Sequence, residues 1–345
     1  MDLKKSYRED LTLFESKSGL VSFLLLLAVL IAFPFIAPHI GAGSYYMNVI
    51  NLIAINAIVA VGLNILVGYT GQISLGHAGF FAIGAYAQAL LVMKYSVPFL
   101  IAMPMAGVVA GLFGLLLGLP ALRLEGPYLA IATLGFGIAV TQIIGRLEFL
   151  GGRMGLAVPA TDLTLWLRSF MKDYLPPGKS ADAPFYSMYA VVIPLTVLLT
   201  ITAVNLMKSR VGRAFVAIRD SEIAAETMGV NLTRYKTAAF AVSAFYTGIA
   251  GALYTHSMGF INPESFDLRL SITFLAMVVV GGLGSILGSH LGAILMTLLP
   301  LSLTAVRDVP EIIYGGILIL VILFEPLGLR GRWLKMKIYW KKWPF

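Results

Sequence analysis

The apolar residues of this chain are bunched, and that bunching constrains its fold more than anything else. Leu20 to Ala37, Val49 to Val67, Phe99 to Leu119 and Ala190 to Leu206 each run without a Lys, Arg, Asp or Glu. Roughly 20 apolar residues let an α-helix cross the hydrocarbon core of a bilayer. Lipid offers backbone N–H and C=O groups no partners, so helices, which satisfy them internally, are expected. Only 12% of the 345 residues are charged, against about a quarter in an ordinary soluble domain, too few to cover a soluble surface of this size. The expected fold is all-α, a polytopic membrane helical bundle.

Read as charge-free stretches, the spans fall near 20–38, 47–67, 73–93, 98–119, 127–145, 186–207, 238–257, 270–283, 286–306 and 310–325, about ten transmembrane helices. Three clusters hold most of the Lys and Arg: four before the first span, six from Lys208 to Lys236, and six from Arg330 to Lys342. Cytoplasmic segments carry such excess. Even numbers of spans separate the clusters, so all three share one side. This divides the chain into a cytoplasmic N-terminal segment (1–19), a transmembrane domain (20–329) and a basic cytoplasmic tail (330–345). The domain includes an outer loop at 146–185 and an inner loop at 208–237. The outer loop carries five basic residues but also Glu148, Asp162, Asp173 and Asp182, and long loops translocate largely regardless of charge. A net charge of +8 is explained by orientation, and no nucleic-acid partner is expected. The first apolar run exceeds a usual signal-peptide core and reads as an uncleaved span. The chain has no cysteine, which excludes disulfides and thiolate metal ligands.

Glycines fall at helical spacing in two places. Gly107, Gly111, Gly114 and Gly118 share one face, and Gly284, Gly288 and Gly292 share another, as expected where helix backbones approach closely in lipid. The stretch from Gly68 to Gly84, rich in Gly and polar residues, also fits a broken or re-entrant helix. A short echo links Val67-Gly68-x-x-Gly71 with His77 to Val280-Gly281-x-x-Gly284 with His290. It is brief enough to arise by chance.

Polar residues inside spans are the default functional candidates. Gln72, Ser74 and His77 lie in the Gly-rich stretch, and Thr133 and Thr141 in the fifth span. The competing reading is structural, because Ser and Thr bond back to their own helix. Every Asp and Glu falls in a loop or at a span end, including Glu125, Glu311 and Glu325. An ion-coupled secondary transporter keeps a carboxylate deep in the bilayer, so an external energy source is expected. No charged ring or carbonyl filter marks a channel, and no clustered acid and base mark an enzyme. His39, His77, His256 and His290 lack metal-ligand spacing. Gly178-Lys179-Ser180 ends like a phosphate-binding loop, but Asp173 stands where its first glycine belongs. Asn231-Leu232-Thr233 matches a glycosylation acceptor yet falls on the inner side.

The inner segment from Arg213 to Tyr235 reads RAFVAIRDSEIAAETMGVNLTRY. Asp220 or Ser221 suits a helix N-cap, Glu222 suits the first turn, and Gly229 suits a left-handed terminus. A helix of about two turns is expected, either docking into a partner's groove or lying on the membrane surface.

Ala224-Ala225-x-x-x-Gly229 resembles the coupling segment of ABC-importer permeases. More narrowly, GYTGQISLGHAGFFAIGAY at 68–86, PYLAIATLGFG at 127–137 and AIRDSEIAAETMGVNLTRYKTAAFAVSAFYTGIAGALY at 217–254 resemble the LivM branch of the LivHM family, permease subunits of branched-chain amino acid ABC importers. The chain departs from the wider pattern in two ways: Ile223 stands where Glu would precede Ala-Ala, and no Ile-x-Leu-Pro follows. The resemblance implies an ABC importer permease architecture in the bacterial inner membrane, with both termini cytoplasmic. Leucine, isoleucine and valine would be the solutes; urea, amides, aromatic acids, or an ion-coupled carrier remain alternatives. It also implies a LivH-like second permease, two ATPase subunits (LivG- and LivF-like) and a periplasmic substrate-binding protein. The outer segment, with Gly151-Gly152-Arg153 and Trp166, would help receive that protein. No cofactor is expected on this chain, since ATP and Mg would sit on the ATPase subunits. Arg213, Arg219, Glu222, Ala224, Ala225, Glu226 and Gly229 would make the ATPase contact.

Overall fold

The computed structural model describes residues 17–37, 44–121, 124, 126–160, 162–174 and 182–302, with short pieces at 315–316, 319, 323 and 328–332. Most of the expected tenth span, most of both terminal segments, Pro176-Pro177, Gly178-Lys179-Ser180, Glu125, Glu311 and Glu325 lie outside the described residues.

Each of the first nine expected spans coincides with a helix: α1 (Lys17–Ile36), α2 (Ser44–Thr70), α3 (His77–Met93), α4 (Phe99–Ala121), α5 (Pro127–Arg146), α7 (Ala183–Lys208), α10 (Leu232–Met258), α11 (Leu268–Gly281) and α12 (Ile286–Ser302). Between α5 and α7 stands α6 (Asp162–Tyr174), and between α7 and α10 stand α8 (Arg210–Asp220) and α9 (Glu222–Thr227). The two central helices, α2 and α10, are the longest at 27 residues each. At a rise of 1.5 Å per residue each runs roughly 40 Å, well beyond a bilayer core of about 30 Å. Both are mostly buried inside the bundle, whereas α4, α5 and α7 expose most of their surface. That exposure is apolar: Leu112, Leu116, Ile131, Ile143 and Leu198 are all more than half exposed, as a lipid-facing or partner-facing surface requires.

The core forms where α10 meets α2, α3 and α4. Ile55, Ile58, Leu63, Phe80, Phe240, Leu253 and Phe274 are essentially inaccessible there. The glycine face of α4 is its contact with α10. A methyl group on Gly107 would meet Ile249 Cγ1 at 2.7 Å, and one on Gly114 would meet Ala244 Cβ at 2.5 Å. Without a hydrophobic drive between helices in lipid, that close van der Waals contact is what holds them. The second expected glycine face is corrected by one residue. Gly284 lies in a turn at φ +69°, and Gly281, on α11, joins Gly288 and Gly292 at the α11–α12 contact instead.

The long segment expected as an outer loop is structured. Two short 3-10 turns, Glu148–Leu150 and Gly152–Met154, precede a strand β1 (Leu156–Ala157). This pairs antiparallel with β2 (Phe260–Ile261), matching Leu156 to Ile261 and Ala157 to Phe260. Helix α6 then packs on α7. Its Trp166 and Phe170 rings stack 6.2 Å apart, 65% and 47% exposed, the aromatic, amphipathic character of a helix lying at a membrane surface.

Candidate functional site

One end of the bundle is closed by the segment between α7 and α10, and each start in it has a cap. Ser209 Oγ accepts from Val211 N at 3.1 Å and starts α8. Ser221 Oγ accepts from Ala224 N at 3.2 Å and starts α9, so Ser221 rather than Asp220 is the cap. Gly229, at φ +85°, ends the turn that follows α9. Asn231 Oδ1 then accepts from Arg234 N at 2.9 Å to start α10. Such caps satisfy N–H groups the helix leaves without partners.

Helix α9 has an inner and an outer face. Ala225 is buried, and Glu222 pairs with Lys236 Nζ, neutralising an ammonium that is itself buried. Lys236 is thereby explained, since an unpaired buried charge is strongly unfavourable. Ala224, Glu226 and Gly229 are exposed. Beside them stand Ile223 and Met228, 79% and 84% exposed. Two large apolar side chains are thus bare on one six-residue helix and its terminus. Arg213 is exposed and donates to the Lys208 carbonyl at 3.1 Å.

Arg219 remains 39% exposed while reaching the end of the bundle with one arm. Its Nη1 donates to the Gly68 carbonyl at 3.0 Å, while Nε and Nη2 hold Asp220 Oδ1 at 3.1 and 3.0 Å. It fills the space between two glycine turns: a methyl on Gly71 would meet its Cγ at 3.3 Å, and one on Gly284 its Nη1 at 3.0 Å. Gly71 (φ +76°) follows the end of α2 and Gly284 (φ +69°) separates α11 from α12. The short sequence echo therefore marks two real helix breaks. Asn64 fastens them together: its Nδ2 donates to the Ser285 carbonyl at 2.9 Å and Ser289 Oγ at 2.7 Å, and its Oδ1 accepts from Gly284 N at 2.9 Å. Arg330 Nη1 reaches the Gly284 carbonyl at 3.4 Å, bringing the start of the basic tail to this same end.

The break after α2 is the Gly-rich stretch flagged as a broken helix: residues 71–76 are non-helical. Ser74 and His77 share a hydrogen bond at 3.0 Å, and His77 Nε2 meets Ser243 Oγ of α10 at 2.7 Å. Leu75 N donates to Thr133 Oγ1 of α5 at 2.9 Å, and Ala78 N to Ser271 Oγ of α11 at 3.0 Å. Gln72 is buried, with its Nε2 unpaired. Three of the five sequence candidates, Ser74, His77 and Thr133, are thus brought together where four helices converge, and Gln72 lies in the same break with its backbone N donating to the Leu66 carbonyl at 3.1 Å. Thr141 is not among them; its hydroxyl donates within its own helix, to the Ile138 carbonyl at 2.9 Å. Sequence reasoning missed Asn64, Ser243, Ser271, Ser285 and Ser289. Asn64 carried a signal, an amide within a charge-free run; serines are too common in membrane helices to stand out. Among the described residues no three His, Asp or Glu converge as metal ligands would, and none of the buried side chains is an Asp or Glu.

Against known proteins, residues 45–324 match the family described as branched-chain amino acid transport system, permease component. The chain is similar to the LivM permease of the high-affinity branched-chain amino acid transport system of Escherichia coli (strain K12), 37% identical over 324 residues, 89% of this chain and 74% of that protein. It is 36% identical to the LivM of Salmonella typhimurium over 320 residues, 88% of this chain and 73% of that protein. It is also 26% identical to the LivH permease of Salmonella typhimurium over 296 residues, covering 83% and 94%. No solved structure matches.

Proposed function

Because the chain belongs to the branched-chain amino acid transport permease family, we propose that it is one of two membrane subunits of an ATP-binding-cassette importer in the bacterial inner membrane. As a permease component it is a transport subunit and not an enzyme. The solutes in this reading are leucine, isoleucine and valine, delivered by a periplasmic binding protein. The second permease is LivH-like, and two LivG- and LivF-like ATPase subunits hold the ATP and Mg.

The observation that carries the reading is the bare pair Ile223 and Met228 on a capped helix whose opposite side is pinned by Ala225 and the Glu222–Lys236 pair. Apolar anchors on a short helix suit a groove on a partner. Arg219 supplies the transmission. A shift of α9 when the ATPase subunits close moves Arg219, and with it the glycine turns ending α2 and joining α11 to α12. The turn after α2 runs directly into Ser74 and His77, so a small displacement at the ATPase side alters how four helices meet along the solute path. The lack of a buried carboxylate among the described residues favours ATP over an ion gradient as the source of work. Arg330 beside Gly284 supports a cytoplasmic C-terminus, and the basic N-terminal segment is placed with it by the same excess of Lys and Arg.

The test is uptake of labelled leucine into proteoliposomes holding both permeases and both ATPases, with binding protein outside and ATP enclosed. Accumulation that needs all of these is expected. Accumulation that persists without ATPase subunits would overturn the reading.

A further inference from the structure

At the end of the bundle opposite Arg219 lies a cavity of about 220 Å³, walled by the start of α7, the end of α10, the loop residues Val158–Ala160 that follow β1 and Arg168 of α6. This volume is suited to a small solute. Val158, Phe185, Met188 and Met258 make part of its wall apolar; Ser187, Ser257 and His256 add polar groups; none of its lining residues is an Asp or Glu.

Three polar atoms, one in the lining and two on residues behind it, are buried without a partner. Arg168 Nε is one. The second is Oε1 of Gln88, whose amide nitrogen holds the lining residue His256 at 3.0 Å. The third is Oδ1 of Asn51, whose amide nitrogen donates to the carbonyl of the lining residue Phe185 at 3.0 Å. Native proteins leave few buried polar groups unpaired, and each calls for an explanation. A half-buried guanidinium with an unpaired nitrogen, and no carboxylate in the lining, favours an anion, and the planar fork of Arg favours a carboxylate. An apolar wall beside the guanidinium favours an aliphatic side chain.

We propose that this cavity is an outer reception site for a small aliphatic amino acid, with Arg168 receiving its carboxylate as the solute leaves the binding protein. The inference rests on the proposed function for the identity of that solute. Helix α6 is then a working wall of the path, holding in Arg168 a cation of the cavity lining positioned to catch the solute above the His77 cluster.

The test uses the complete transporter in proteoliposomes with Arg168→Gln and Arg168→Lys. At saturating binding protein, Arg168→Gln is expected to lower the maximal leucine uptake by about tenfold, the size of a lost charge-assisted hydrogen bond. Stimulation of ATP hydrolysis by liganded binding protein stays near the unmodified level, and Arg168→Lys recovers part of the uptake. Unchanged uptake in Arg168→Gln would overturn the inference. So would a rise in the half-saturating concentration of binding protein at unchanged maximal rate, which would make Arg168 a protein contact. The proposed function fails separately, through absence of ATP-driven leucine uptake in the unmodified complex.

Discussion

Arg219, near the end of α8, touches both helix breaks, meeting the Gly68 carbonyl by a 3.0 Å hydrogen bond and lying against Gly71 and Gly284. Arg219→Ala is expected to separate hydrolysis from transport. ATPase activity of the assembled complex continues while leucine uptake drops by about tenfold or more, consistent with loss of charge-assisted hydrogen bonds, as measured on the same proteoliposomes. A parallel fall of both activities would mean that Arg219 only holds the fold. Gly76 is the complementary residue. A methyl group there would meet the Thr133 carbonyl oxygen at 2.2 Å, and that neighbour is helix backbone. Gly76→Ala should destabilise by about 1–3 kcal/mol, the usual effect of overpacking, seen as an earlier thermal transition of the detergent-solubilised protein. At this scale the sequence was only half legible. Ser74, His77 and Thr133 stood out as polar residues in apolar surroundings. Which partners they take depends on helices far apart in the chain, Ser243 lying 166 residues from His77, and no local pattern encodes that. Arg219 was singled out only through the family resemblance, as an ATPase contact; its hydrogen bond to Gly68, 151 residues away, is visible only in the tertiary fold.

Helix α9 depends on little intrinsic propensity at six residues, since isolated helices this short are unstable in water. It persists because Ser221 caps it, Gly229 ends the turn after it, and Ala225 and the Glu222–Lys236 pair fix one side. Its other side has no such role, so Ile223→Asp with Met228→Asp should leave the thermal transition of the permease nearly unchanged. The same pair should lose most of the ATPase subunit that copurifies with it. Retention of the ATPase would remove α9 from the interface. Caps and terminators were legible because they are local: Ser221, Glu222 and Gly229 announce a short helix by their own chemistry. Strands β1 and β2 were not, because two-residue strands carry no period and exist only through pairing across about a hundred residues. Helix α6 was missed for a related reason, its amphipathic pattern lying within a segment that polar residues made look like a loop.

Across the whole molecule, nine of about ten expected spans have helices at the expected places, because apolar length is a physical requirement of the bilayer and not a statistical preference. Their arrangement was less legible. The sequence could not say that α2 and α10 are central while α4, α5 and α7 are peripheral, since apolarity does not track position: central α2 and peripheral α4 share a mean hydropathy of 2.3. The account depends on the end of the bundle that carries Arg219, Ile223 and Met228 being the end that meets the ATPase. As the chain has no cysteine, Met228→Cys introduces a single thiol at an 84% exposed position. The measurement is disulfide or short-linker cross-linking of Met228→Cys to cysteines placed around the ATPase groove in the intact complex. The account predicts an efficient adduct with an ATPase subunit, modulated by ATP, and no labelling of Met228→Cys by a membrane-impermeant reagent added outside sealed cells. Labelling from outside, with no adduct to any ATPase subunit, would contradict it.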